Sequence, residues 1–352
     1  MKEADSTTLD NVFVSIIILN YNGGNYTLEC LDSIFKATSC KKEILLIDNG
    51  SSDKSHIICK EKFPEIILIQ NTENIGMAAR TIGLEKAQGD FIVFLDSDTV
   101  VANDWLLYLV NSYRKNGEGL YQPKLLEKKR PNIINSCGNM INIFALAYSR
   151  GKGEHDMGKY DVFSPISYTS GACSFASSVV MKKIGYVDSL FFAYHDDVDF
   201  GWRALLLGIQ SYYEPKSVVY HYGSQTLEWS KKKFFLLERN RWICLLTLYS
   251  KTTLVKIFPL LILVEIGMCI FFLRKGMGLE KLRSYFSLIR MRKDIKERKE
   301  RIMKNRKFDD KMIIKNFGDD FWLPVYALND FQANLVNSFI RLLSKQARKI
   351  IR

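Results

Sequence analysis

The feature that most constrains the fold is an alternation in the first hundred residues, where runs of almost purely apolar residues are separated by segments of helical spacing. The apolar runs are "VFVSIIILN" (12–20), "EILLIDN" (43–49), "EIILIQN" (65–71) and "DFIVFLD" (90–96). Runs of this length and composition read as strands buried on both faces. Between them, "TLECLDSIFKA" (27–37) puts Leu28, Leu31, Ile34 and Phe35 on one helical face. "GSSDKSHIICKEKF" supplies a turn and a helix, and "GMAARTIGLEKAQG" reads as another helix. The alternation predicts an α/β fold, with a mainly parallel sheet covered by helices on both faces. Such sheets bind ligands beyond the carboxyl ends of their strands. Three of these strands end on polar residues, Asn20, Asp48 and Asp96, so the ligand crevice is expected there.

Asp96 is followed by Asp98 in "FLDSDTV". Two carboxylates one residue apart on extended backbone suit a hard divalent cation shared with phosphate oxygens. The pair alone is a weak signal, because Asp98 would equally cap the helix expected near Asn103 or shape the turn. A second acidic group opens the helix "HDDVDFGWRALLLG", with Asp196, Asp197 and Asp199 in its first turn. The helix dipole accounts for one or two acids there. Mutual repulsion among three predicts a raised pKa and a carboxylate able to accept a proton. A proton acceptor held over a metal-bound phosphate ester suits nucleophilic displacement.

The net charge of +12 is concentrated rather than spread: residues 274–307 hold seven Arg and seven Lys against four acids. Directly upstream lies the most apolar stretch, "LVKIFPLLILVEIGMCIFFL" (254–273). Basic residues beside an apolar segment point to an anionic membrane surface rather than nucleic acid. Lys256 and Glu265 interrupt the stretch, and Pro259 suits a first helical turn. A helix from Pro259 to Leu273 would be about 22 Å long, shorter than the roughly 30 Å hydrocarbon core. Interfacial or re-entrant attachment is expected, with a tilted span starting earlier left open. Seven scattered cysteines without a C-x-x-C pair predict neither a disulfide framework nor a zinc cage, and so a cytosolic setting. "MKEADSTTLDN" lacks the apolar core of a secretory signal.

Five motifs together resemble nucleotide-sugar glycosyltransferases of family 2, with the GT-A fold, and most of all their rhamnosyltransferase-type subgroup. They are "VSIIILNYNGGNYTLECLDSI", "IDNGSSDKS", "NIGMAARTIGLEKAQGDFIVFLDSDTVV", "SGACSFASSVVMKKIGYVDSLFFAYHDDVDFGWR" and "VVYHYGS", in order over residues 12–224. The resemblance implies a Rossmann-like GT-A catalytic domain over 1–225. Residues 12–115 would bind the nucleotide sugar, 116–225 would serve the acceptor and catalysis, and 226–352 would be a helical, basic, membrane-associating region. It implies that Asn20, Tyr21 and Asp48 line the nucleotide base pocket with Asp53, which before a helix is equally an N-cap. Arg80 would lie near the diphosphate, or else on a solvated helix surface. Asp96 and Asp98 match the metal-binding D-x-D, His221 a histidine that completes the metal shell, and Gly171 a glycine at the sugar or acceptor. Asp197 matches the catalytic base. Asp196 stands where the family commonly has Glu, leaving the base open between the two, and Thr81 stands where Asn is common.

The implied reaction is inverting transfer from a nucleotide-diphosphate sugar, with Mg²⁺ or Mn²⁺, to a hydroxyl of a glycan or polyprenyl-linked glycan at the cytoplasmic face of the membrane. A sugar nucleotidyltransferase would open with a Gly-rich phosphate loop, which "NYNGGNY" does not supply. Neither G-x-x-x-x-G-K-[ST] nor G-x-G-x-x-G occurs. A non-enzymatic membrane-bound scaffold would need none of the acids. Beyond 225, "LEWSKKKFFLLERNRWICLLTLYSK" reads as an amphipathic helix carrying Trp229, Phe234 and Trp242, facing either a core or a membrane. "KERKERIMKNRK" reads as a charged helix face, and 309–352, with Trp322, as further helices.

Overall fold

The computed structural model describes residues 8–37, 40–223, 230–321 and 330–351. The predicted alternation is present as β1 (Phe13–Asn20), α1 (Gly24–Lys36), β2 (Lys41–Asn49), α2 (Ser55–Lys62), β3 (Ile67–Asn71), α3 (Arg80–Lys86) and β4 (Phe91–Asp96). A single 3-10 turn, Gly76–Ala79, leads into α3. There follow β5 (Thr99–Val101), α4 (Trp105–Asn116), β6 (Gly119–Glu127), β7 (Arg130–Ser136), β8 (Asn139–Ile141), β9 (Ala147–Ser149) and β10 (Ser164–Ile166). Then come β11 (Cys173–Ser177), α5 (Ser178–Ile184), α6 (Asp196–Leu206) and β12 (Gln210–His221). The last third is helical: α7 (Lys231–Leu248), α8 (Lys251–Arg274), α9 (Gly278–Arg290), α10 (Arg292–Asn305), α11 (Asp310–Ile313) and α12 (Asp330–Ile351).

The main sheet runs β10-β12-β6-β11-β4-β1-β2-β3. The neighbours β4, β1, β2 and β3 are parallel, whereas β11 is antiparallel to both β4 and β6. Successive side chains of a strand face opposite sides, which explains why β1 is apolar throughout. Ile16 and Ile18 pack with Leu31 and Trp105 on one face, and Ile17 with Leu45, Leu84 and Val180 on the other. Each such side chain contributes about 1.5–3 kcal/mol on burial.

A further core joins the sheet region to the helices. Phe144, Phe191 and Trp202 share it with Ile243, Leu248, Tyr249 and Leu261. The Trp202 ring meets Tyr249 and Phe317 edge-on at 4.7 and 4.9 Å. All seven thiols are free.

Several expectations about the helical third change. α7 is not amphipathic: Phe234, Leu236, Asn240, Arg241, Ile243 and Leu245 are all buried, because α6 packs on one side and α9 and α10 on others. Trp229 and Trp322 lie outside the described residues. α8 does not begin at Pro259, which sits inside it. Ser250 caps the helix by accepting a hydrogen bond from the Thr253 amide at 3.1 Å. Twenty-four residues make a helix of about 36 Å, so the expected shortfall against a bilayer disappears. α10 is not wholly a solvated face, since Ile295, Arg298 and Ile302 are buried.

Candidate active site

The sheet register sets the polar strand ends side by side. Asn20 pairs with Asp48, and Leu19 with Asp96. Asn20 and Asp48 are both buried. The Asn20 amide donates to Asp48 at 2.8 Å and to Ser55 Oγ at 3.0 Å, and the Asn20 carbonyl accepts from Thr27 at 2.7 Å. Asp48 also accepts from the Ser51 amide at 3.2 Å and lies 3.4 Å from His56. Asp53 joins two helix starts, accepting from the amides of Ser55 and Gly24, each at 3.0 Å. Burial pushes its carboxyl up, but the Ser55 and Gly24 hydrogen bonds outweigh that and leave its pKa lowered. These three residues brace the loops around the strand ends, while Tyr21 is 38% exposed beside them.

Arg80 is not a solvated surface residue. Its side chain is 3% exposed, with the guanidinium on Asp96 Oδ1 at 2.6 Å and on the Gly171 carbonyl at 2.8 Å. Its Nε is buried without a protein acceptor. Gly171 in turn offers its amide to Asp197 Oδ2 at 3.3 Å. A Cβ at Gly171 would lie 3.6 Å from Arg80 and 3.9 Å from Asp197, ordinary contact distances. A hydrogen-bonded chain therefore runs from Asp96 through Arg80 and Gly171 to Asp197, which brings residues a hundred positions apart into one connected cluster.

Asp98 does not cap α4. It lies 3.3 Å from His221 Nε2, brought there because β12 pairs antiparallel with β5, His221 opposite Thr99. The other ring nitrogen of His221 lies 3.3 Å from Asn135 Oδ1. One donor atom each from Asp96, Asp98 and His221 fall within 4.8 Å of one another. Two carboxylate oxygens and an imidazole nitrogen form a donor set that fits Mn²⁺ or Mg²⁺. Burial lowers the His221 pKa, but Asp98 outweighs it and the net shift is upward.

The acids of α6 divide into two roles. Burial, reinforced by the neighbouring Asp197 charge, lifts Asp196 to about 8. Burial also raises Asp197, against hydrogen bonds from the Gly171 and Val198 amides. Asp199 goes the other way: burial pushes it up, but Arg298 and Arg203 hold it lowered. Asp199 is thus a structural anion and not a third member of a repelling group.

The approach to α6 is conformationally costly. Tyr194 and His195 are consecutive non-glycine residues with φ of 66° and 60°, a left-handed geometry that costs on the order of 1–3 kcal/mol each. Asn240 on α7, fully buried, donates to the carbonyls of Ala193 and Tyr194 at 2.9 and 2.7 Å and fixes that segment. Arg239 binds the Leu190 carbonyl at 3.0 Å. His195 contacts the Ala145 carbonyl at 3.3 Å, and burial lowers its pKa to about 4, so the ring is neutral. Gly76 is required where this segment crosses the approach to α3: its φ is +69°, and a Cβ would lie 2.0 Å from the Phe192 carbonyl oxygen.

Comparison with known proteins fits this geometry. The model of the family "Glycosyl transferase family 2" matches residues 15–183. Residues 15–183 are a glycosyltransferase family 2 domain. The chain is 40% identical over 106 residues to Glycosyltransferase GlyA of Streptococcus pneumoniae serotype 4, a match covering 29% of this chain and 15% of that protein. It is 26% identical over 260 residues to the poly-beta-1,6-N-acetyl-D-glucosamine synthase of Staphylococcus aureus, covering 71% and 60% of the two chains. It therefore spans less than two thirds of the length of either relative. A crystal structure of GalNAc-T7 with UDP, GalNAc and Mn²⁺ superposes with a TM-score of 0.57 at 18% identity, over 72% of this chain and 52% of that one. The fold is GT-A, with a helical region that includes one apolar helix.

Reasoning from the sequence did not assign Asn240, Arg298, Asn135 or His56 around this family 2 domain. Asn240 sits in "LEWSKKKFFLLERNRWICLLTLYSK", whose reading as an amphipathic helix gives that residue no role. Thr81, where the family commonly has Asn, accepts from the Val187 amide at 3.1 Å and so ties α3 to the loop before α6.

Proposed function

We propose that the chain is an inverting, metal-dependent glycosyltransferase that moves a sugar, of hexosyl or rhamnosyl type, from a nucleotide-diphosphate donor to a hydroxyl of a glycan or polyprenyl-linked glycan. The setting is cell-surface polysaccharide or glycoconjugate synthesis at the cytoplasmic face of the membrane. The observation that carries this reading is the continuous chain Asp96–Arg80–Gly171–Asp197, with Asp98 and His221 beside Asp96.

Asn20, Asp48 and Asp53 shape the base pocket by bracing its loops, and Tyr21 faces the base. Arg80, with its Nε free of protein acceptors, faces the diphosphate. Asp96, Asp98 and His221 would hold Mg²⁺ or Mn²⁺, which would supply the charge that stabilises a departing nucleoside diphosphate. Gly171 leaves room for the sugar or acceptor between Arg80 and Asp197. Asp197, the more open of the two neighbouring acids, takes the proton from the acceptor hydroxyl as that oxygen attacks the anomeric carbon from the face opposite the leaving group. Asp196, lifted to about 8, keeps its own proton at neutral pH and leaves the negative charge to Asp197. Single displacement inverts the anomeric centre, because no other nucleophile is needed.

Thermal shifts with UDP, GDP and dTDP, each with and without Mn²⁺, test the reading. One diphosphate should raise the melting temperature only when the metal is present, by mass action, and Asp98→Asn should abolish that increment. Indifference to all three in the presence of Mn²⁺ would remove the sugar-nucleotide assignment.

A further inference from the structure

α8 is long and apolar enough to cross a bilayer, but its two faces differ in kind. Toward the protein, Thr253, Ile257, Leu261, Val264 and Phe272 are buried. Glu265 accepts from Arg241 on α7 at 2.5 Å and from Lys281 and Tyr285 on α9. Away from the protein, Val255, Phe258, Ile262, Ile266, Ile270 and Leu273 are between 43% and 69% exposed. Their spacing of three and four places them in one stripe.

α9 repeats the division. Glu280, Lys281 and Ser284 are buried, while Leu279, Leu282, Phe286 and Ile289 are between 54% and 66% exposed. Lys281 reaches Glu238 on α7 at 2.6 Å, so the inward faces of both helices meet the same pair on α7. The outward faces of both helices are the ones that do not meet α7, and each carries a run of exposed apolar side chains. Lys256, Arg274, Arg283 and Arg290 are exposed along these helices, which gives the surface charge complementarity to anionic headgroups.

The same contacts exclude a span. Lipid around the whole of α8 would place Glu238, Arg241, Lys281 and Glu265 in hydrocarbon. It would also draw in α7, whose Asn240 and Arg241 bind carbonyls of the sheet region at Ala193, Tyr194 and Phe144. Polar groups of that kind are expensive in a bilayer. Entry from the outward face alone, to about 5–10 Å, costs none of them.

We propose that the outward faces of α8 and α9 form a monotopic docking surface that lies in the plane of an anionic lipid leaflet, and that α8 does not cross it. This specifies the membrane partner in the proposed function, and it is tested separately from sugar transfer.

The purified full chain, floated with vesicles, should bind those containing about a third phosphatidylglycerol at least about tenfold more tightly than pure phosphatidylcholine. The variant Ile262→Glu/Ile266→Glu/Phe286→Glu should lose at least about tenfold of that binding, while keeping the wild-type melting temperature and the Mn²⁺-dependent diphosphate shift. In cell-derived vesicles of known sidedness, with Cys40→Ser/Cys269→Ser as background, Lys256→Cys and Lys275→Cys should react with an impermeant maleimide from the same side. Reaction from opposite sides would establish a span and overturn the proposal. Equal binding to neutral vesicles would overturn the anionic preference, and loss of a soluble dimer in the triple variant without any lipid effect would assign the face to a second copy. If vesicle binding holds while no diphosphate shifts the melting temperature, the surface stands and the glycosyltransferase reading fails; the reverse result separates them the other way.

Discussion

The chain buries two clusters of charge, one at the ends of the sheet strands and one between α7, α8 and α9, and they are built on opposite terms. At the strand ends, the four acids Asp96, Asp98, Asp196 and Asp197 have, among the described residues, Arg80 and His221 as their ion-pair partners, Arg80 on Asp96 and His221 on Asp98. Among the helices, Glu238 and Glu265 are matched by Arg241 and Lys281, with Tyr285 donating as well. The consequence is visible in the titration of each. Burial lifts Asp196 to about 8, whereas at Glu238 the same burial is outweighed by Arg241 and Lys281, and the carboxyl falls to about 2. Both clusters are desolvated, and only the first is short of cations. Burial of acids therefore does not mark a site by itself; unmet charge does, because it leaves room for a metal and a proton.

The largest contrast lies within the acids of α6. Asp197→Asn should lower kcat about 10²- to 10⁴-fold, with diphosphate binding unchanged by calorimetry. If turnover survives, Asp196 is the base and the division of roles is reversed.

Arg298→Ala should do the opposite, acting on stability first. It strips the buried Asp199 of a partner and takes from Asp188 the guanidinium that Arg298 places on it at 2.8 Å, leaving it the more distant Arg301 at 3.3 Å. Breaking a buried pair this way costs about 3–5 kcal/mol, read as a lower urea midpoint. An unchanged midpoint would mean that α10 does not brace α6.

Asn240→Ala sharpens the comparison further, since Asn240 belongs to the helical region but holds the backbone that leads to Asp197. It should reduce kcat about 10²-fold through misplacement of the base, with donor KM and diphosphate affinity near wild type. A merely structural role would lower stability and leave the kcat of the folded fraction alone.

The gentlest contrast is a slope. The folded-state pKa of Asp196 is raised, so its contribution to stability is fully present below about 4 and is lost as pH rises toward about 8. Asp196→Asn should match wild type in melting temperature near pH 4 and become progressively the more stable of the two toward pH 8, by at most about 1.4 kcal/mol per pH unit. Parallel curves would show that Asp196 ionises normally.

How much of this was legible in the sequence depended on whether a signal was local. β1, β2 and β4 follow from apolar runs alone, because a strand covered on both faces leaves few positions for polar residues; the run of β3 also marks a strand, but at the sheet edge it is partly exposed rather than covered on both faces. Asp96, Asp98, Asp197 and His221 could be named because each stands in a short motif. Their convergence required the antiparallel pairings of β11 and of β12 with β5, which no local spacing encodes. Pro259 misled because its usual place is a first turn, whereas here it is exposed within a helix capped at Ser250. α7 misled because its polar residues Glu238, Asn240 and Arg241 look like a solvent face, and each instead meets a partner from another segment, Lys281, the Ala193 carbonyl and Glu265 respectively. Arg80 was ambiguous for the same reason: an arginine in a helix declares its environment only once Asp96 and Gly171 are placed beside it.

The matched cluster on α7 bears on how this protein can be handled. Trimming the chain before Lys251, the natural way to rid it of its greasy helix, would not release a tidy soluble enzyme. Glu238 and Arg241 would lose Glu265 and Lys281 together, and the helix carrying Asn240 would be left with raw charge along its flank. Solubility is better sought by recharging the outward stripe residue by residue, which leaves the keystone in place.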